Sequence, residues 1–173
     1  MRISRLKLLL LVAMSAFGLW AASEVLIVYY YLHQALPLCT SQPGGWFVFD
    51  CNVVLGSSYS QIFGIPLELF AVIYFIVNIL LVFTIAFASA RSAERSLDIL
   101  FVWRFLGVLI VPYLVFVELF LLKAICIYCT MMHVAIVLDF IVISYLLYYS
   151  KNSLFENPSS VGAGPNEPSK AAV

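Results

Sequence analysis

The chain has 173 residues, of which 64% are hydrophobic and only 10% charged, with a mean hydropathy of +1.07. That is more apolar surface than a domain of this length can hide within itself, so a lipid bilayer must cover much of it and a water-soluble globule is excluded. Nine basic residues balance nine acidic ones; with no basic stripe to follow phosphates, a nucleic-acid partner is excluded as well.

A membrane-crossing helix needs about 20 largely apolar residues. Such stretches run at about 6–31, 65–87, 97–121 and 125–149. The expected fold is therefore an all-α membrane protein, a four-transmembrane-helix bundle, with residues 1–150 as one domain. The first stretch lies where a secretory signal would, but its apolar run is too long and no cleavage site precedes Glu24, so it is expected to stay as a helix. The external loop, 32–64, follows it and holds Cys39 and Cys51. After Cys51 come Ser57 and Ser58 as helix caps, an apolar-aromatic turn through Tyr59, Ile62 and Phe63, and a break at Gly64 and Pro66. These predict a short amphipathic half-helix lying on the membrane, roofing the bundle and carrying Cys51 above Cys126; an interfacial anchor is the plainer reading. Residues 151–173 are rich in Ser, Pro, Gly and Ala and lack apolar periodicity, the composition of a disordered cytoplasmic tail.

The basic residues predict the orientation. Arg2, Arg5 and Lys7 precede the first span, Arg91 and Arg95 separate the second from the third, and Lys151 and Lys170 follow the fourth. The external loop has no lysine or arginine, and the connection between the third and fourth spans has only Lys123. Both termini are thus expected to be cytoplasmic in a multi-pass cell-membrane protein. All four cysteines then fall at or near the extracytoplasmic face, where disulfides persist.

Cys126-Ile127-Tyr128-Cys129 opens the fourth apolar stretch. A Cys-x-x-Cys pair at a helix start has its sulfurs one turn apart, close enough to bond, and the free amides there favour a thiolate. With Cys39 and Cys51 in the loop, the layout is that of a two-step electron relay at a membrane surface. Two other classes fit the same residues: a four-cysteine zinc site, and a non-enzymatic four-span protein with structural disulfides. Phosphate-binding glycine loops, His-Glu-x-x-His and Gly-x-Ser-x-Gly are absent from the sequence.

Asp50-Cys51-Asn52-Val53-Val54-Leu55, Ser57-Ser58-Tyr59, Phe63-Gly64-Ile65-Pro66-Leu67 and Cys126-Ile127-Tyr128-Cys129-Thr130, set in a four-helix membrane chain, together resemble the vitamin K epoxide reductase family. The likeness covers roughly residues 8–149 and is greater to its prokaryotic members than to the vertebrate enzyme. It implies a bundle around a quinone (menaquinone, ubiquinone or a related naphthoquinone), with Cys126 and Cys129 as the redox centre and Cys39 and Cys51 as a shuttle pair, spaced more widely than in vertebrate members. It further implies quinone contacts from Ser57, Tyr59, Phe63 and His133, the last where vertebrate members carry a tyrosine; a histidine bonded to a nearby backbone carbonyl is the plainer reading of His133. The sequence carries no fused thioredoxin-like domain, so the expected electron donor is a separate thioredoxin-like (DsbA-type) protein. In the implied mechanism this donor attacks Cys39, Cys51 attacks Cys126, and Cys129 faces the quinone, so that disulfides form outside the cytoplasm at the expense of membrane quinone. A vitamin K quinone or epoxide reductase proper is the alternative within the same likeness.

Charges inside a span are costly and call for partners. If the third and fourth spans form an antiparallel pair turning near Lys123, Arg104 and Asp139 lie at equal depth, predicting a structural ion pair toward the cytoplasmic side, with a proton path as the alternative. The same count sets Glu118 beside Cys126, to tune the thiol, to carry its proton, or simply to reach the interface. His33, at the outer end of the first span, reads as an interfacial residue.

Overall fold

The computed structural model describes residues 5–39, 41–43, 45–87 and 90–155. Its long helices are α1 (Arg5–Glu24), α3 (Leu67–Phe87), α4 (Ala90–Phe116) and α5 (Ile127–Phe155). α1 and α4 each continue as a wider π-helical segment, Val25–Tyr31 and Val117–Leu122. The stretches apolar and long enough to cross a membrane are Leu8–Tyr31, Leu67–Phe87, Arg95–Leu122 and Ile127–Tyr148. The four-helix membrane bundle expected from hydropathy is thus the observed fold. α5 runs to Phe155 because no glycine or proline interrupts it there; the remainder of the expected tail, 156–173, lies outside the described residues.

The helices form a ring in which α1 packs on α3 and α5, and α4 closes the circle against the same two. In lipid the hydrophobic effect does not draw helices together, so close packing must. Gly18 supplies it for α1 and α3: a Cβ there would run into the ring of fully buried Phe75. Gly107 does the same for α4, lying against the Tyr74 ring of α3. Leu80, Phe83, Leu109, Ile110 and Ile141 remain exposed on the outside, as a lipid-facing surface requires.

Two apolar cores fill the interior. One, at the loop end, includes Ala21, Ala22, Val25, Phe75 and Ala135 together with Cys51, Cys126 and Cys129. The other, at the end where the chain passes from α3 to α4, is built from Leu11, Val82, Ile85, Leu97, Leu100, Ile143 and Leu146. Between them lies a polar layer to which each long helix contributes one residue: Ser15, Asn78, Arg104 and Asp139. Arg104 and Asp139 meet as the sequence predicts, with Nη2 3.5 Å from Oδ1 and both side chains fully buried. The Arg104 Nη1 also donates to the Asp139 carbonyl at 2.9 Å, its Nε donates to Asn78 Oδ1 at 3.3 Å, and the Ser15 hydroxyl donates to Asp139 Oδ2 at 2.7 Å. The pair lies between the two cores, in the half of each span nearer Arg95 and Tyr148.

The loop between α1 and α3 folds over one end of the bundle. Its helix differs in place from the sequence expectation. α2 is Cys51–Leu55, capped by Asp50, whose carboxylate accepts the Asn52 N–H at 2.9 Å. Tyr59 falls in a single 3₁₀ turn, Ser58–Ser60, and Ile62 lies in a hairpin of β3 (Gln61–Ile62) with β4 (Ile65–Pro66). Phe63 and Gly64 both take positive φ at its tip, which a helix through those residues could not accommodate.

Candidate functional site

A short parallel ladder positions the cysteines. β2 (Val48–Phe49) pairs with β5 (Ala124–Ile125), the two-residue strand between α4 and α5, and with β1 (Gln42–Pro43) on its other edge. The Val48 N–H donates to Lys123 O at 2.9 Å and the Asp50 N–H to Ile125 O at 3.2 Å. Cys51 and Cys126 each come just beyond the paired strands, one at the start of α2 and the other immediately before α5. Both are buried, with 2% and 0% exposure, in one apolar cluster. Lys123 turns the chain out of α4 in the left-handed conformation (φ 51°), its N–H donating to Glu118 O.

Cys39 and Cys51 are joined by a disulfide, with Cα atoms 5.7 Å apart. Two of the four sulfurs are therefore bound to each other, which leaves no four-thiolate set for zinc in this state. Cys126 and Cys129 are free thiols. The Cys126 carbonyl accepts the Thr130 N–H at 2.9 Å and the Thr130 hydroxyl at 3.0 Å, so Cys126 sits in the capping position of α5. Its Sγ accepts the Cys129 N–H at 3.4 Å. Capping geometry thus holds the two sulfurs on one turn, as the motif at a helix start predicts.

A cavity of about 590 Å³, its open mouth included, lies under α2 between α3, α4 and α5. Cys129 and, one turn deeper on α5, His133 line one wall. Ser57 and Tyr59 line the roof, where the Ser57 hydroxyl donates to Val54 O at 2.7 Å. The structure thus gathers Cys129, His133, Ser57 and Tyr59 around one space, with Cys126 and the disulfide behind it. Phe63 is not among them. It is fully exposed at the hairpin tip, because positive φ turns its side chain outward from the roof.

Two carboxyls enter the same cavity. Glu118, on the π segment of α4, is 6% exposed and faces the backbone amide of Cys126, as the depth count from Lys123 predicts. Glu68, in the first turn of α3, is 4% exposed, and its Oε2 has no hydrogen-bond partner. Beside it stands Tyr30, from the π segment of α1, whose hydroxyl lies 3.2 Å from Leu55 O and 3.3 Å from Ser60 Oγ. Sequence reasoning passes over Glu68, Tyr30 and Ser60. An acidic residue just inside a span is itself a signal, and Glu68 follows Pro66 by two positions.

From the cavity an apolar groove continues between α3 and α4, past Phe70, Tyr74, Trp103, Leu106 and Gly107, sharing Leu67, Ala71, Leu114 and Ile136 with it. A second opening, between α4 and α5, shares Glu118 and His133.

No curated protein matches the chain. The model of the vitamin K epoxide reductase family matches residues 9–144, which include all four cysteines, the loop and the cavity. With the match spanning most of the chain and the four-span bundle agreeing with it, the protein belongs to the vitamin K epoxide reductase family.

Proposed function

We propose that the chain is a prokaryotic-type thiol-dependent quinone reductase that reoxidises a separate thioredoxin-like partner and so supports disulfide formation outside the cytoplasm. Proteins of this family act on quinones, and membership makes this chain a membrane oxidoreductase in that broad sense. One observation carries the finer reading: free Cys129 and His133 share a wall of a largely apolar cavity, while the bonded Cys39–Cys51 pair lies just above Cys126.

In this reading a partner thiolate attacks Cys39 and frees Cys51, and the partner's second thiol releases Cys39. Cys51 attacks Cys126 of an inner disulfide, and Cys129 leaves as thiolate. Cys39 then re-forms its bond with Cys51, freeing Cys126. The inner dithiol next gives two electrons to the quinone and closes to the disulfide again. The chain's part is to hold Cys129 at the cavity, to offer His133 to a carbonyl oxygen, to keep water out with apolar walls, and to set Cys51 in register with Cys126. The groove between α3 and α4 suits the isoprenoid tail of menaquinone or ubiquinone. Both termini lie in the cytoplasm, with the cysteine pairs on the other face.

The test is anaerobic mixing of the purified protein with a reduced thioredoxin-like protein and a menaquinone or ubiquinone analogue, following quinol. Quinol formed in step with partner oxidation is expected. Absence of turnover with every quinone removes the reading.

A further inference from the structure

We propose that Glu68 is a proton carrier for quinone reduction; this rests on the reading that the cavity takes a quinone. A quinone accepts two protons as well as two electrons, on oxygens at opposite ends of its ring. His133 and Cys129 stand together on α5 and serve one end. The facing wall, on α3, presents Glu68.

Three observations single it out. The carboxyl is 4% exposed, and the described lining of the cavity holds no lysine or arginine to pair with it. Its Oε2 is without a hydrogen-bond partner, whereas Glu118 has the Cys126 amide. A hydroxyl pair, Tyr30 and Ser60, stands behind it and links it to the loop. Helix capping accounts for only part of this. Glu68 does meet its own backbone amide in the first turn of α3, but that role needs one acceptor oxygen, which a glutamine would also provide.

In the step proposed, electrons pass from the thiolate of Cys129 as the Cys126–Cys129 bond forms, and the carboxylic O–H of Glu68 breaks as the far quinone oxygen becomes O–H. The Cys129 proton, passed through His133, completes the near quinone oxygen as O–H, and the Glu68 carboxylate accepts a hydrogen bond from Tyr30 and takes up the second proton of the dithiol, that of Cys126. Dithiol and quinone thus become disulfide and quinol, and Glu68 ends as it began. General acids placed in this way contribute about 10²-fold or more.

The experiment uses the full chain, pre-reduced, mixed anaerobically with a short-chain ubiquinone in a single turnover. Glu68→Gln keeps the size and the acceptor oxygen. It should slow quinol formation about 10²-fold, with an enlarged solvent deuterium isotope effect, while quinone affinity and alkylation of Cys126 and Cys129 stay as in the parent. Glu68→Asp should restore part of the rate. Parental speed in Glu68→Gln, or a loss that follows weakened quinone binding, overturns the proposal while the parent still reduces quinone. A parent that reduces none overturns the quinone reading itself. Should Glu68→Gln fail to assemble, Tyr30→Phe decides: slowing by several-fold at unchanged affinity supports the carrier, and an unchanged rate rejects it.

Discussion

Polar groups are buried at two levels of this bundle, and their charges are treated differently. In the middle layer the two opposite charges answer each other: Arg104 faces Asp139, and Ser15 and Asn78 add hydrogen bonds, one group from each long helix, although the Asn78 Nδ2 is left without a partner. Under the loop, Glu68 Oε2 has no partner, and Cys129, His133 and two carboxyls surround open space. Burying polar atoms without partners costs free energy, so a fold that answers charges at one level and leaves a polar cavity at another separates holding itself together from holding something else. The middle layer reads as structure, and the upper level as chemistry.

The largest expected effect tests the upper level. Cys129→Ser should abolish quinone reduction whether electrons come from a protein partner or from a small thiol. Cys39→Ser should abolish only the partner-driven reaction, since a small thiol reaches the inner pair directly. Quinol assays with both donors check this, and equal loss from the two substitutions contradicts the order of the relay.

The middle layer comes next, and the quantity at stake there is stability. Arg104→Leu or Asp139→Leu leaves a buried charge without its partner, which costs about 3–5 kcal/mol. The double change should recover part of that loss. Thermal unfolding in detergent gives the three values, and simple addition of the single losses means that the pair does not couple.

What the sequence discloses follows the same division. The four spans are legible because hydropathy over some 20 residues is a long-range average that no local detail can overturn. Arg104 with Asp139, and Glu118 with Cys126, follow from counting depth along two antiparallel helices. The approach of Cys51 to Cys126 has another origin. It rests on β2 and β5, each two residues long and far apart in sequence, too short to leave any periodicity. Tyr30 stands on a π-helical segment, whose wider turns shift side chains off the 3.6-residue face that a pattern assumes. The serines after Cys51 look like helix caps, yet Asp50 caps α2 and the hydroxyls of Ser57 and Ser60 bond back to loop carbonyls.

His133 is expected to matter less than the sulfurs. A single hydrogen bond to a quinone oxygen is worth about 1 kcal/mol net, so His133→Leu should slow quinone reduction on the order of 10-fold. His133→Tyr, which keeps a donor at the same wall, should hold most of the rate. Thiol exchange between the two cysteine pairs should be untouched in both. Rapid mixing separates the two steps, and a parental rate in His133→Leu would show that the hydrogen bond to this quinone oxygen comes from another helix.

The smallest effect is expected at Phe63, and it sharpens where the site ends. Sequence likeness groups Phe63 with Ser57 and Tyr59, but the hairpin turn carries it outward, fully exposed, while the other two line the cavity roof. Phe63→Ser should therefore leave quinone affinity and turnover within about two-fold of the parent, the range expected of a surface change worth up to about 0.5 kcal/mol. Tyr59→Ser, four residues earlier, should weaken quinone binding, because it removes an aromatic wall from the space itself. Titration of both variants with one quinone analogue sets them side by side. An equal loss of affinity would mean that the hairpin folds inward when the cavity fills, and that the roof extends one turn of chain further than the structure places it.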